Sequence, residues 1–463
     1  MRGLPPISST ETFRVRRWDA LILGGALPGL IAAIRIAKRG LRVLIVEEAA
    51  ALEGFQGVRE PFLMTGATSD GVLGACLREL GVPLIERRRF TTEEVALQVV
   101  LPDARIDVGR IPRTTDELTA WGLAKPESAR VLLLALEEAG LAERDALLSS
   151  AFVRGGSRPI TAPRARSGRQ SARGLPRELA EAPEAVRRVL SAVLRGLSGL
   201  GEALPGAEAR ARLLGGMLEG GAVIGGGDGW LRGMLRRRID SLYGECRSIS
   251  SPIRLVSVAQ QPGLAIANSD EIWAGRVLVL NAPRAALASA CAQAPPPEIL
   301  RVPAPTRRRA VIHLSGRRSA LAECMSERVI CVADPAAHLD GSNVVAIRSL
   351  PGGRDRVDLV AWSAVVPGSE DVACEAVEGA VRRLLPFSRP DLLRQPLPRP
   401  IWDSDDWLAD PRGEATWPDE VEIRVGNRPT IYALDRGTVG GLGFEGELLL
   451  GWRAGDAIAA ELT

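Results

Sequence analysis

At 463 residues the chain exceeds what a single hydrophobic core organises, so two closely connected domains are expected. Apolar residues make up 46% and charged residues 25%, the balance of a folded soluble protein, and 59 basic against 56 acidic residues leave a net charge of +3. That near-neutral balance argues against a nucleic-acid partner or a general pull toward anionic lipid. Six scattered cysteines without a CxxC pair argue against a disulfide framework or a thiolate zinc site and suit reduced thiols in a cytosolic protein. His313 and His338 are too few for a histidine-rich centre, and no metal is expected. Lys38 and Lys125 are the only lysines, so a lysine-dependent mechanism has two candidates.

Residues 1 to 17 read as a loosely packed tail. The basic and apolar stretch from Arg14 to Ala37 is interrupted by Asp19, Pro28 and Arg35, which suits mature structure better than a secretion signal. No run reaches the ~20 apolar residues of a membrane span. Ala20 to Leu23 forms a buried strand, Gly24-Gly25-Ala26-Leu27-Pro28-Gly29 a tight turn, Leu30 to Ala37 a helical stripe and Val43 to Val46 a second strand. Leu-rich helices are expected at 73–80, 130–148 and 187–220, within a mostly helical region. The arginine-dotted stretch 154–177 reads as a solvated loop. A glycine cluster after Ile224 opens a basic helix to Leu242, followed by strands at 253–258, 264–267 and 276–280. Further strands fall near 309–314, 328–333, 343–348 and 357–365. The chain closes with a strand, a glycine-rich turn and an Ala/Leu helix from Thr430 to Thr463.

The turn at 24–29 sits between strand and helix, the context in which a glycine motif binds a dinucleotide. Gly24 permits the sharp turn, and Gly29 lets the helix approach the strand. The backbone N–H groups of Gly25, Ala26 and Leu27 face a pyrophosphate at the positive helix end. Ala26 replaces the middle glycine and crowds that approach by one methyl group. Glu47 ends the second strand, where a carboxylate accepts hydrogen bonds from an adenosine ribose and repels a 2′-phosphate.

From Asp19 through Glu47 the chain resembles the flavoprotein superfamily of flavin amine oxidases and phytoene desaturases. Two further segments extend the likeness. Gly225-Gly-Gly-Asp-Gly-Trp-Leu231, a helix, and Ser251-Pro252-Ile253 are similar to the family segment whose strand lends adenine a backbone contact, here at Ile253. Ile431-Tyr-Ala-Leu-Asp435 and Gly440-Gly-Leu-Gly-Phe-Glu-Gly446 resemble its closing motif. There the resemblance places Asp435 near the ribityl–pyrophosphate part of FAD, and Gly443 and Phe444 at the flavin N1/O2 edge. A helix start there also stabilises a reduced, anionic flavin on physical grounds alone.

The resemblance implies FAD as cofactor and an α/β fold. A Rossmann-type, glutathione-reductase-like FAD domain, from segments 15–65, 222–285 and 425–463, is interleaved with an α+β substrate domain, from 66–221 and 286–424. It implies hydride transfer between a small apolar substrate and flavin N5, chemistry that belongs to the cofactor, and no catalytic side chain is named. Departures accompany it. Leu434 stands where a glycine is usual, and Glu53-Gly-Phe-Gln-Gly-Val-Arg59 replaces a Gly-Gly-Arg segment. No lysine stands in the mixed region, and Tyr243 and Tyr432 are the only tyrosines. These favour desaturation or saturation of an apolar substrate over amine oxidation. They keep open a flavin-binding protein without turnover, serving as scaffold or partner subunit, with an NAD-dependent enzyme as a third reading.

Other candidates receive structural roles. His313 reads as a satisfied buried histidine. Trp402, Trp407 and Trp417, among Asp403, Asp405, Asp406 and Asp410, read as a surface-packed loop in preference to a substrate entrance. The arginine triplets at 87–89, 236–238 and 307–309 read as solvated or ion-paired faces. The helices at 130–148 and 187–220 are expected to pack in the core, with peripheral membrane contact as the alternative.

Overall fold

The computed structural model describes residues 4–6, 13–154, 174–225, 230–250, 252–267, 269–334, 337–353, 355–388, 391–409 and 420–463. Most of the arginine-dotted stretch, Gly226 to Gly229, Ser251, Asp410 and Trp417 lie outside these residues.

Strand Arg14–Leu23 runs at the centre of an eight-stranded sheet, because Ala20 to Leu23 are apolar on both faces and completely buried. It pairs in parallel with Val43–Glu48 on one side and Glu271–Leu280 on the other. Glu245–Ile249 extends the first side, and Thr430–Ala433 and Arg424–Asn427 extend the second. The antiparallel strands Ile253–Val258 and Gln261–Ile266 hang from Glu271–Leu280. Such parallel pairing needs cover on both faces. Helices Leu27–Ala37 and Gly443–Leu462 pack on one another over one face. Ile253, Leu255, Leu264 and Trp273 join the apolar cluster on the other. The two helices cross closely: a Cβ on Gly451 would run into the Pro28 carbonyl, and one on Gly455 into Ala32.

A seven-stranded sheet forms the second layer, in the order Leu392–Gln395, Arg308–Arg317, Arg356–Val365, Val344–Pro351, Arg328–Val332, Val95–Val100, Arg105–Gly109. The last two strands lie in the region expected to be mostly helical. Val95-Ala-Leu-Gln-Val-Val100 is a short apolar, β-branched run, better suited to a pleated sheet than to a helical stripe. Helices Pro126–Ser149, Glu184–Leu197 and Ala207–Leu218 pack against this layer. Leu132, Leu133 and Leu136 turn inward, whereas Val131 and Leu134 are exposed. Among the described residues no helix is long and apolar enough to cross a membrane.

The N-terminal residues depart from the expected loose tail. Arg14 to Trp18 are already in the central strand, Leu4 is buried, and the Pro5 carbonyl accepts from the Ser257 N–H.

Candidate functional site

The turn folds as the sequence demands. Gly24 takes φ +106°, a left-handed conformation open to glycine, and a Cβ on Gly29 would overlap the Asn281 side-chain amide. That amide lies one residue beyond strand Glu271–Leu280 and donates to the Gly24 and Ala26 carbonyls at 2.8 and 2.9 Å. Ala26 stands at the N-terminal cap of helix Leu27–Ala37 without a side-chain cap. Asn281 was not among the expected site residues, although it directly follows the strand read at 276–280.

At the far end of the cleft, helix Gly443–Leu462 begins directly after the 3₁₀ turn Arg436–Leu442. Gly443 has φ +53°, and a Cβ there would run into the Leu197 carbonyl. Between this helix start and the turn lies a cavity of about 980 Å³. Leu27 contributes to its wall from the turn, and Asp435, Gly443 and Phe444 contribute from the closing motif. Apolar walls come from Phe62, Leu197 and Trp362, with Phe62 edge-on to Trp362 at 5.2 Å. Polar and charged side chains share the wall, Arg309 and Trp407 among them. Half-buried Arg309 lies over the Trp362 ring at 5.6 Å, and the Trp407 indole N–H has no partner among the described residues.

Glu445, in the first turn of the closing helix, is buried against Arg212, whose guanidinium donates to both carboxylate oxygens at 2.6 and 2.8 Å. Thr65 Oγ1 adds a bond of 3.0 Å. The Arg212 charge is therefore neutralised locally, and the helix end keeps its own partial positive charge.

Residues 401–409 overturn the expectation of a surface-packed loop. Trp402 is 3% exposed and Asp403 2% exposed, because this acidic segment lies across the C-terminal ends of the central strands. Glu48, next to the expected ribose ligand, accepts the N–H groups of Ile401, Trp402 and Asp403 at 2.8, 2.8 and 3.1 Å. Asp403 Oδ1 in turn accepts the Gly25 N–H and an Arg59 N–H, each at 3.0 Å. Asp405 is met by Arg59 at 2.9 Å, Arg232 at 2.7 Å and Arg436 at 2.8 Å. Burial opposes ionisation of Asp405, but Arg232, Arg59 and Arg436 outweigh it and hold the carboxyl well below the usual carboxylate range. Burial pushes the Asp403 carboxyl up, against the pull of Arg59.

The remaining expected contacts are also engaged. Arg236 forms a two-pronged ion pair with Glu47, which is fully buried, so this member of the 236–238 triplet closes on the expected ribose ligand. The Ile253 carbonyl accepts the Ala292 N–H at 2.9 Å. Asp435 is exposed on the cavity wall and accepts the Gly437 N–H at 2.9 Å. His313, as expected, is buried and satisfied: it stacks on Phe55 and meets Asp358 at 2.8 Å.

The two halves of a flavin dinucleotide can be tested separately against these residues. The flavin half fits: an open cavity meets an uncapped helix start. The adenosine half has the right chemistry in Glu47, the Gly25 N–H and the Ile253 strand, but the chain's own groups hold all three, and none of the three residues borders the cavity.

No family model matches the chain, and no curated protein matches its sequence. Solved structures do resemble it. An oxidoreductase from Methanosarcina mazei superposes with a TM-score of 0.55 at 15% identity, covering 95% of this chain and 99% of its own. Cyclohexylamine oxidase from Brevibacterium oxydans gives 0.52 at 15% identity, with 96% and 99% covered. Putrescine oxidase bound to putrescine gives 0.51 at 14% identity, with 96% and 100% covered. The chain thus shares the α/β fold of these oxidoreductases, built on a Rossmann-type parallel sheet.

Proposed function

We propose that the chain is an FAD-dependent oxidoreductase acting on a small, largely apolar molecule. The observation that carries this reading is the cavity of about 980 Å³ at the start of helix Gly443–Leu462, walled by apolar and aromatic side chains. A flavin bound there would supply hydride transfer, and the chain's residues would supply position. Leu27 would face the pyrophosphate from the turn, Asp435 the ribityl–pyrophosphate part, and Gly443 and Phe444 the flavin edge, where the helix end favours negative charge. Phe62, Leu197 and Trp362 exclude water from a substrate. Arg309 and the Trp407 N–H are the polar handles that would orient it. Domain limits near 65, 221, 285 and 424 belong to the same proposal.

The fold's relatives named above include two amine oxidases, but neither Tyr243 nor Tyr432 borders the cavity, so a tyrosine cage for a cationic amine is missing from its described wall. Anaerobic titration of protein equilibrated with excess FAD tests the reading. Saturable quenching of flavin fluorescence is expected, followed by bleaching of the flavin bands with an apolar alkene or alkane substrate. Absence of saturable binding would remove the oxidoreductase reading. The internal engagement of Glu47 and Gly25 favours a second reading, a protein of this fold that binds flavin without turnover. Binding without bleaching by any substrate class would support it.

A further inference from the structure

We infer that residues 401–406 are a counter-ion strap that holds the adenosine half of the cleft closed, and that FAD enters only by displacing Asp403 from Gly25 and Arg59. This rests on the flavin reading above. In a dinucleotide site the turn's N–H groups meet the negative charge of a pyrophosphate, and a guanidinium beside them is a strong partner for phosphate oxygens. Here a carboxylate of the same chain meets both, at 3.0 Å to Gly25 N and 3.0 Å to Arg59. The strap is fastened where it can act as a catch. Glu48 grips three successive backbone N–H groups at 401–403, while Asp405 is clamped by three arginines. A pyrophosphate entering beside Arg59 would take over the charge that Asp403 now satisfies. The exchange therefore conserves the ion pairing of Arg59, and a charged ligand is the one suited to release the strap.

Two substitutions separate the possibilities. Asp403→Asn keeps the shape and removes the charge that competes with pyrophosphate. Glu48→Gln weakens the grip on the strap without altering Gly25, Arg59 or Glu47. FAD affinity is read by quenching of flavin fluorescence, with far-ultraviolet circular dichroism to verify folding. The wild type is expected to be isolated without stoichiometric FAD, and both variants to bind added FAD at least tenfold more tightly. Wild-type protein isolated yellow with one FAD per chain would overturn the strap and leave the flavin reading standing. So would folded variants whose FAD affinity is unchanged or weaker. Folded wild type and folded variants that all fail to bind FAD would overturn the flavin reading itself.

Discussion

Asp405 shows how one buried carboxylate organises a charged interior. Arg59, Arg232 and Arg436 converge on it within 3 Å, so removing its charge leaves three guanidinium groups short of a partner. Breaking a buried ion cluster on one side costs about 3–5 kcal/mol, so Asp405→Asn is expected to lower stability by that order at pH 7, read by urea unfolding. The pH dependence has a definite sign. A carboxyl whose folded-state pKa is depressed contributes stability that is complete above its unfolded value, roughly 4, and is lost as pH falls toward the depressed value. The wild type is thus expected to lose stability steeply below pH 4, and Asp405→Asn to show a shallower acid limb. Equal acid limbs would contradict this role. Of the expected site residues, Gly24 and Gly29 were legible because their roles are local: one sets a turn dihedral, and the other clears a neighbour one strand away. The partners of Glu47 and Gly25 were not. Arg236 lies 189 residues from Glu47, and Asp403 lies 378 residues from Gly25, and no sequence period connects such positions.

At the scale of elements, the strand–turn–helix–strand unit was readable because its apolar run, its glycines and its helical stripe agree with one another. The closing helix was readable for the same reason, and the two helices meet through Gly451 and Gly455. Gly451→Val would place a branched side chain against the Pro28 carbonyl at the base of the glycine turn at 24–29. Overpacking of this kind costs about 1–3 kcal/mol, and thermal unfolding should show a clearly lowered midpoint. A midpoint equal to wild type would show that the helices can separate without cost. Strands Val95–Val100 and Arg105–Gly109 were missed because short apolar runs look alike in strand and helix, and here the partner strand Arg328–Val332 decides. The acidic segment at 401–409 was misassigned for a related reason. Carboxylates set among tryptophans look like surface until Arg59, Arg232 and Arg436 from distant elements are folded around them.

For the whole molecule, the interleaved order of sheet strands belongs to a fold that several oxidoreductases share, while the contacts that occupy Gly25 and Glu47 belong to this chain's own side chains. The flavin half and the adenosine half thus make different statements, one of an open chamber and one of a cleft filled by its own counter-ions. Hydrogen–deuterium exchange with and without FAD distinguishes them on a single sample. The account predicts that without FAD the amides of Gly25 and of residues 401–403 are protected, because Asp403 and Glu48 hold them. Saturating FAD should speed exchange at 401–406 while keeping residues 24–30 protected. FAD that binds while residues 401–406 stay as protected as before would contradict the account, as would a strap already unprotected without ligand.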